Sequence, residues 1–172
     1  TLQPCGAWEA CGRWLVERQG WAAKPPPQAF VFSASVVTSL ANVCRALTTE
    51  GAAVLCCTPL YEPLQSAIVG CGRRLVRHPL QHGKRSGKHG RRGCDGTVED
   101  VEREDDMWHM DLTTLEATLE QEDVRILVLC NPHNPTGRVW RRQELRALAA
   151  ACARRSVLVV ADEIWGDWIL GE

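Results

Sequence analysis

Four short segments of this 172-residue chain carry side chains able to do more than fill space. Asp162 directly follows the apolar run Val157 to Ala161, and a carboxylate placed there must be solvated, capped or paired with a cation. Asn134 lies in Asn131-Pro132-His133-Asn134-Pro135-Thr136-Gly137, where it either fixes a turn between prolines or offers its amide to a ligand. Tyr61, in Thr58-Pro59-Leu60-Tyr61, is either a core aromatic or a ring that stacks on a planar ligand. Ser33-Ala34-Ser35-Val36-Val37 is either a plain helix cap or a turn whose unpaired amides and dipole end hold an anion. Each segment alone has a purely structural reading. Together they share a position, since each comes just after an apolar run, and ligands of open parallel sheets sit beyond the carboxyl ends of the strands.

The elements needed to present these residues are legible in the apolar spacing. Trp8, Cys11, Leu15 and Val16 predict a helix over 7–18, stopped by Gly20. Pro25-Pro26-Pro27 breaks it, and Ala29 to Phe32 reads as a short strand. Val36, Val37, Leu40, Ala41, Cys44 and Leu47 make one helical face that ends before Gly51. Residues 53–57 predict a buried strand, Leu64 to about Gly70 a short helix, and 73–77 a partly exposed strand. A helix through Leu112, Leu115 and Leu119 has Asp111 as its cap, and buried strands are expected at 124–129 and 157–161 around a helix over 143–155. The predicted fold class is α/β, a mainly parallel sheet covered by helices.

One stretch departs from this alternation. Residues 78–92 hold Lys84, Arg85, Lys88, Arg91, Arg92 and three histidines without an acid, whereas 95–106 hold seven acids against Arg103 alone. A charge-segregated, solvated loop over about 81–107 is the expectation, weighed above contact with RNA or an acidic partner. With 20 basic and 21 acidic residues, the formal charge of −1 makes no whole-chain case for nucleic acid or an anionic membrane. No apolar run approaches the roughly 20 residues of a membrane span. Nine cysteines, an odd number spread through apolar segments, read as buried thiols of a reducing compartment rather than as a disulfide scaffold. No histidine or cysteine spacing indicates a metal site.

NPHNPTGRVW at 131–140 and VLVVADEIWGDW at 157–168 carry a resemblance to a known family. The chain resembles the large domain of fold-type I pyridoxal-phosphate enzymes, the aminotransferase class I/II superfamily. Within it the chain looks like the MalY/PatB-type cystathionine and cysteine-S-conjugate β-lyases. That choice rests on Trp8, Trp14, Glu17, Arg18, Gly20 and Trp21, on TPLYEP at 58–63, on GRRLVRHPL at 72–80 and on VWRRQEL after NPTG. The resemblance implies pyridoxal 5'-phosphate as cofactor, with Asp162 paired to the pyridine nitrogen, Asn134 donating to the phenolic oxygen and Tyr61 on the ring face. It places Ser35 and the amides of Val36 and Val37 on the phosphate, and Trp165 in the position where relatives carry Tyr or His. It further implies a sulfur-containing amino-acid substrate, a homodimer for the complete enzyme and a cytoplasmic location. The opening residues Thr1-Leu2-Gln3-Pro4 leave a targeting leader open.

Departures from the family pattern shape the functional expectation. Its Schiff-base lysine follows the DEI strand, whereas the lysines here, Lys24, Lys84 and Lys88, all precede Asp162. The chain is therefore expected to be part of the large domain, with the lysine, the substrate-binding arginine and the small domain outside it. Ser35 stands where a glycine is usual, which either tightens the turn or strains its φ. Trp165 can donate a hydrogen bond but cannot exchange a proton. Arg141 replaces a Ser or Thr cap, a loss of about 1 kcal/mol. The expected activity is carbon–sulfur β-elimination. The alternatives are amino transfer and, in a different class, a non-catalytic truncated protein or interaction module.

Overall fold

The computed structural model describes residues 6–92 and 98–168, with 84–92 and 98–106 described by their backbone alone. Two compact units divide the chain, Thr1–Ser35 and Val36–Glu172. The first holds α1 (Ala7–Glu17) and a 3-10 turn at Pro27–Ala29. Its charged stems lie on aromatic faces: Lys24 Nζ is 4.6 Å from the Trp8 ring centre, and the Arg18 guanidinium is 5.1 Å from that of Trp14. Gly12 is buried against the Lys24 stem, which stands 2.7 Å from where a Cβ would be. The strand expected at Ala29 to Phe32 does not form. Residues 30–32 pair with no strand among the described residues and Val31 is 88% exposed; isolated β-propensity does not hold a strand without a neighbour to bond.

The second unit is built on four parallel strands in the order β2-β1-β5-β6. These are β1 (Ala53–Thr58), β2 (Arg74–Pro79), β5 (Val124–Cys130) and β6 (Leu158–Asp162). Alternate residues of the strands serve two cores, the consequence of a two-residue side-chain period. Val54, Cys56, Ile126 and Val128 pack with Leu40 and Cys44 of α2 (Val36–Leu47) and Leu64 and Ile68 of α3 (Glu62–Gly70). Leu55, Cys57 and Leu127 pack with Leu115 and Leu119 of α4 (Leu112–Gln121) and Leu148 and Cys152 of α5 (Arg142–Arg154). Helices thus cover both faces, as the α/β expectation required. Asp111 caps α4 as read from the sequence, accepting from Thr113 N–H at 3.1 Å and Thr114 N–H at 3.3 Å.

Two stretches differ from expectation. The run 157–161 was expected to be buried, yet β6 is the last strand of the four and Leu158 is 44% exposed. The stretch over 81–107 is not a loop in its described part but an antiparallel hairpin, β3 (Gln81–Arg92) with β4 (Val98–His109). Its register sets Lys84 opposite Asp106, Arg85 opposite Asp105, Lys88 opposite Glu102 and Arg91 opposite Glu99. Opposed positions of opposite charge favour cross-strand pairing, so charge segregation along the chain becomes charge matching across the ladder. At its base, the His82 and Trp108 rings meet edge to face at 4.9 Å.

Cys44, Cys56, Cys57, Cys71, Cys130 and Cys152 are buried and free, Cys11 is exposed and free, and Cys5 and Cys94 lie outside the described residues. Burial pushes Cys44 and Cys152 up to about 11 and Cys56 and Cys57 up to about 12, so these thiols stay protonated.

Helix ends show where the chain is not at its local optimum. After α3, Gly72 takes φ 78°, with Gly72 N–H to Val69 O and Arg73 N–H to Ile68 O closing a Schellman turn. α5 ends in the same pair of bonds, Ser156 N–H to Ala153 O and Val157 N–H to Cys152 O, but the left-handed residue is Ser156 at φ 54°. Left-handed backbone costs an L-residue about 1 kcal/mol that glycine avoids. Ser156→Gly is expected to raise stability by roughly 0.5–1 kcal/mol, read as a higher urea midpoint; a lower midpoint would show that the serine is not strained.

Candidate functional site

Parallel pairing brings the carboxyl ends of β5 and β6 side by side, with Cys130 in register with Asp162. The next residue, Asn131, donates its N–H to Asp162 O at 2.9 Å. The loop after β5 therefore starts tied to the end of β6. Asn131 Oδ1 accepts from Trp140 N–H at 3.1 Å, and Trp140 Nε1–H donates to Cys130 O at 2.9 Å, which returns the far side of the loop to its origin. Inside it, His133 N–H donates to Arg138 O at 2.8 Å and Gly137 N–H to His133 O at 2.7 Å. Gly137 adopts φ 69°, the left-handed geometry that its residue type allows.

This closed loop presents Asn134. Pro132, His133, Asn134, Pro135 and Gly137 line a cleft of about 270 Å3 whose other wall is Trp165. Asn134 O accepts from Tyr61 N–H at 3.1 Å, so the start of α3 is tied to the same loop, with the Tyr61 ring half-exposed. Asp162 Oδ1 accepts from Ile164 N–H at 3.2 Å, while Oδ2 has no hydrogen-bond partner among the described residues. The carboxylate is thus oriented by one oxygen and can receive a cationic N–H on the other. A donor amide, a half-exposed aromatic ring and this carboxylate, gathered at one sheet edge, suit a planar heteroaromatic ring with a protonated nitrogen and an oxygen substituent. The larger cleft, about 590 Å3, includes Gly51, Ala53, Arg74 and Arg125 at the opposite ends of the strands and contains none of these residues.

Of the seven residues expected at the site, Tyr61, Asn134, Asp162 and Trp165 are joined through the loop 131–137 and the β6 end. Val36 and Val37 open α2, where a helix leaves its first amides without intrahelical acceptors. Their side chains pack against the core cluster that contains Leu60 and Cys130. Ser35 closes the N-terminal unit, in a turn where Ser33 Oγ–H donates to Ser35 O at 3.4 Å. Among described residues only Asp123 and Ser156 carry a positive φ without being glycine, so Ser35 is not strained.

Sequence reasoning passed over three residues that build the loop. His133, 2% exposed, has Nδ1 2.9 Å from Thr136 Oγ1 and its ring edge-on to Trp140 at 5.8 Å. Arg138 pairs with Glu144 Oε2 at 2.6 Å, both side chains about one-tenth exposed. That oxygen also accepts Arg141 N–H at 2.8 Å, the acidic half of a capping box, which offsets the missing Ser or Thr cap. Cys130 contacts Asn134 through sulfur. The one sequence signal for these three was their place within or beside the NPHNPTG motif.

Comparison with known proteins gives the family and the fold. The model of the family described as aminotransferase class I and II matches residues 15–172. The chain belongs to that family. It is 33% identical over 160 residues to cystathionine beta-lyase PatB of Bacillus subtilis (strain 168), covering 93% of this chain and 35% of that protein. To protein MalY of Escherichia coli (strain K12) it is 32% identical over 145 residues, 84% of this chain and 32% of that one. Among solved structures, a PLP-bound protein from Clostridium difficile 630 superposes with a TM-score of 0.77 at 28% identity, covering 97% of this chain and 37% of the other. The chain thus spans about a third of the length of the proteins it matches, and carries their parallel, helix-covered sheet.

Two measurements probe the loop. Burial pulls His133 below its usual value, opposed in part by the Cys57 backbone, and pulls His78 down against the pull of Asp111. Both are neutral in the fold, so the unfolded chain binds protons first as pH falls through about 6.5, and stability drops below that pH. A urea midpoint that declines from pH 7.5 to 5.5, with a shallower slope in His133→Gln, is the expected outcome; equal slopes would remove His133 from the account. Glu144→Gln removes the carboxylate charge that faces the nearly buried Arg138 and is expected to cost roughly 3 kcal/mol in the same assay.

Proposed function

We propose that this chain forms the cofactor cradle in the large domain of a pyridoxal-phosphate-dependent carbon–sulfur β-lyase. The reaction is elimination from cystathionine or a cysteine S-conjugate to give a thiol, ammonia and pyruvate. One observation carries the reading: Asp162, held by Ile164 N–H through Oδ1, keeps Oδ2 available at the end of β6, next to the loop that presents Asn134. Identity to a cystathionine beta-lyase over 93% of the chain, and the PLP bound in a protein of the same fold, support it.

When bound, pyridoxal phosphate supplies an electron sink for the bond broken at the substrate Cα. Asp162 Oδ2 would accept the pyridinium N–H and keep the ring cationic. The Asn134 side-chain amide would donate to the phenolic oxygen, and Tyr61 would cover a ring face. Val36 and Val37 amides with Ser35 would hold the phosphate at the start of α2. Trp165 would donate its indole N–H from the cleft wall, without taking part in proton exchange. No lysine or arginine of this chain is assigned to the reacting end: Lys24, Lys84 and Lys88 all precede Asp162. A cytoplasmic homodimer completes the proposal; among the described residues no helix is long and apolar enough to cross a membrane.

Pyridoxine 5'-phosphate, which has no aldehyde to react with stray lysines, tests the cradle itself. Saturable quenching of tryptophan fluorescence is expected, with affinity at least about tenfold lower in Asp162→Asn, which retains the Oδ1 acceptor for Ile164 but loses the charge. Equal affinities would remove Asp162 from the site. Activity of the protein as its gene encodes it decides the reaction. Pyruvate from cystathionine without a keto-acid acceptor supports the lyase, amino transfer to 2-oxoglutarate supports the transaminase, and binding without either supports a non-catalytic cradle.

A further inference from the structure

We propose that Cys130 is a positioning residue, whose thiol seats Asn134 and through it Tyr61. The residue is 2% exposed at the last position of β5, and its sulfur is engaged on both sides. Sγ–H donates to Pro132 O at 3.3 Å, and Asn134 N–H donates to Sγ at 3.4 Å. Asn134 then accepts Tyr61 N–H through its carbonyl at 3.1 Å. A continuous path thus runs from one buried sulfur to the two residues assigned to the ring oxygen and the ring face. The backbone of Cys130 is itself fixed, since its carbonyl takes Trp140 Nε1–H at 2.9 Å and its register partner is Asp162.

The role needs a protonated thiol, which both donates and accepts. Burial keeps the proton on; the Asn134 N–H bond to the sulfur pulls the other way, and the neighbouring Asp162 charge acts with burial, leaving the thiol raised. A methyl group in its place offers neither donor nor acceptor, whereas a hydroxyl offers both. Bonds to sulfur are individually weak, so the effect lies in the order imposed on a loop whose two ends are already tied. The consequence for chemistry rests on the cradle proposed above; the seating of Asn134 and Tyr61 does not.

Tyr61 is the one tyrosine of the chain, so labelling with 15N-tyrosine yields a single backbone amide signal, the very N–H that donates to Asn134. Cys130→Val fills the space without a donor or acceptor, Cys130→Ser retains both, and Cys152→Val changes an equally buried thiol on the opposite face of the sheet. Hydrogen exchange at Tyr61 is expected to speed up at least about tenfold in Cys130→Val, to return to within about threefold of the parent in Cys130→Ser, and to stay at the parent rate in Cys152→Val. Unchanged exchange in Cys130→Val, or equal acceleration in the Cys152 control, would overturn the proposal. Pyridoxine 5'-phosphate affinity should follow the same order across the three variants. Absence of binding to the unsubstituted chain would count against the cradle alone, because the Tyr61 signal is read without ligand.

Discussion

The parallel pairing of β5 with β6 is the constraint on which the candidate site depends. It sets Cys130 beside Asp162, and the bond from Asn131 N–H to Asp162 O extends the ladder one residue past the strand. Without that alignment the loop 131–137 and the carboxylate would be separate features of two strand ends. With it, a backbone bond ties the loop that carries Asn134 to the strand end that carries Asp162. Parallel strands also aim all their carboxyl ends at one edge of the sheet, which is why the residues that follow them are those able to share a ligand.

Polar bonds hold the loop. His133 is buried with Nδ1 on Thr136, and Arg138 and Glu144 form an ion pair that is nearly out of water. Buried polar groups of this kind contribute little net stability compared with an apolar replacement, but removing one partner is costly. The thiol of Cys130 adds to these polar contacts through Pro132 O and Asn134 N–H.

The helices and strands were legible because their burial is two-sided and local. Val54 to Cys57 and Ile126 to Val128 alternate between two cores, and an apolar strand flanked by amphipathic helices has few other arrangements. The exceptions share a cause. Ala29 to Phe32 has strand-forming residues but no strand to bond among the described residues, and 81–109 has charges that favour water until the chain doubles back and opposes them. In both, the deciding partner lies outside the segment. Val157 to Ala161 likewise reads as buried, yet whether a strand is central or at an edge is set by its neighbours.

For the site, Asp162, Asn134 and Tyr61 stand out by their shared place just after apolar runs, each with a structural reading of its own, and the resemblance carried by NPHNPTG and DEI supplies their expected roles and that of Trp165. Those are properties of single side chains and of spacing along the chain. Which atoms meet was decided in three dimensions. The sequence does not carry Asn134 O on Tyr61 N–H, the Oδ2 of Asp162 left available while Oδ1 caps Ile164, or the sulfur of Cys130 beneath Asn134. Each of these bonds joins groups brought together by strand register and by the closure of one loop, and a hydrogen bond exists only where both distance and direction are met.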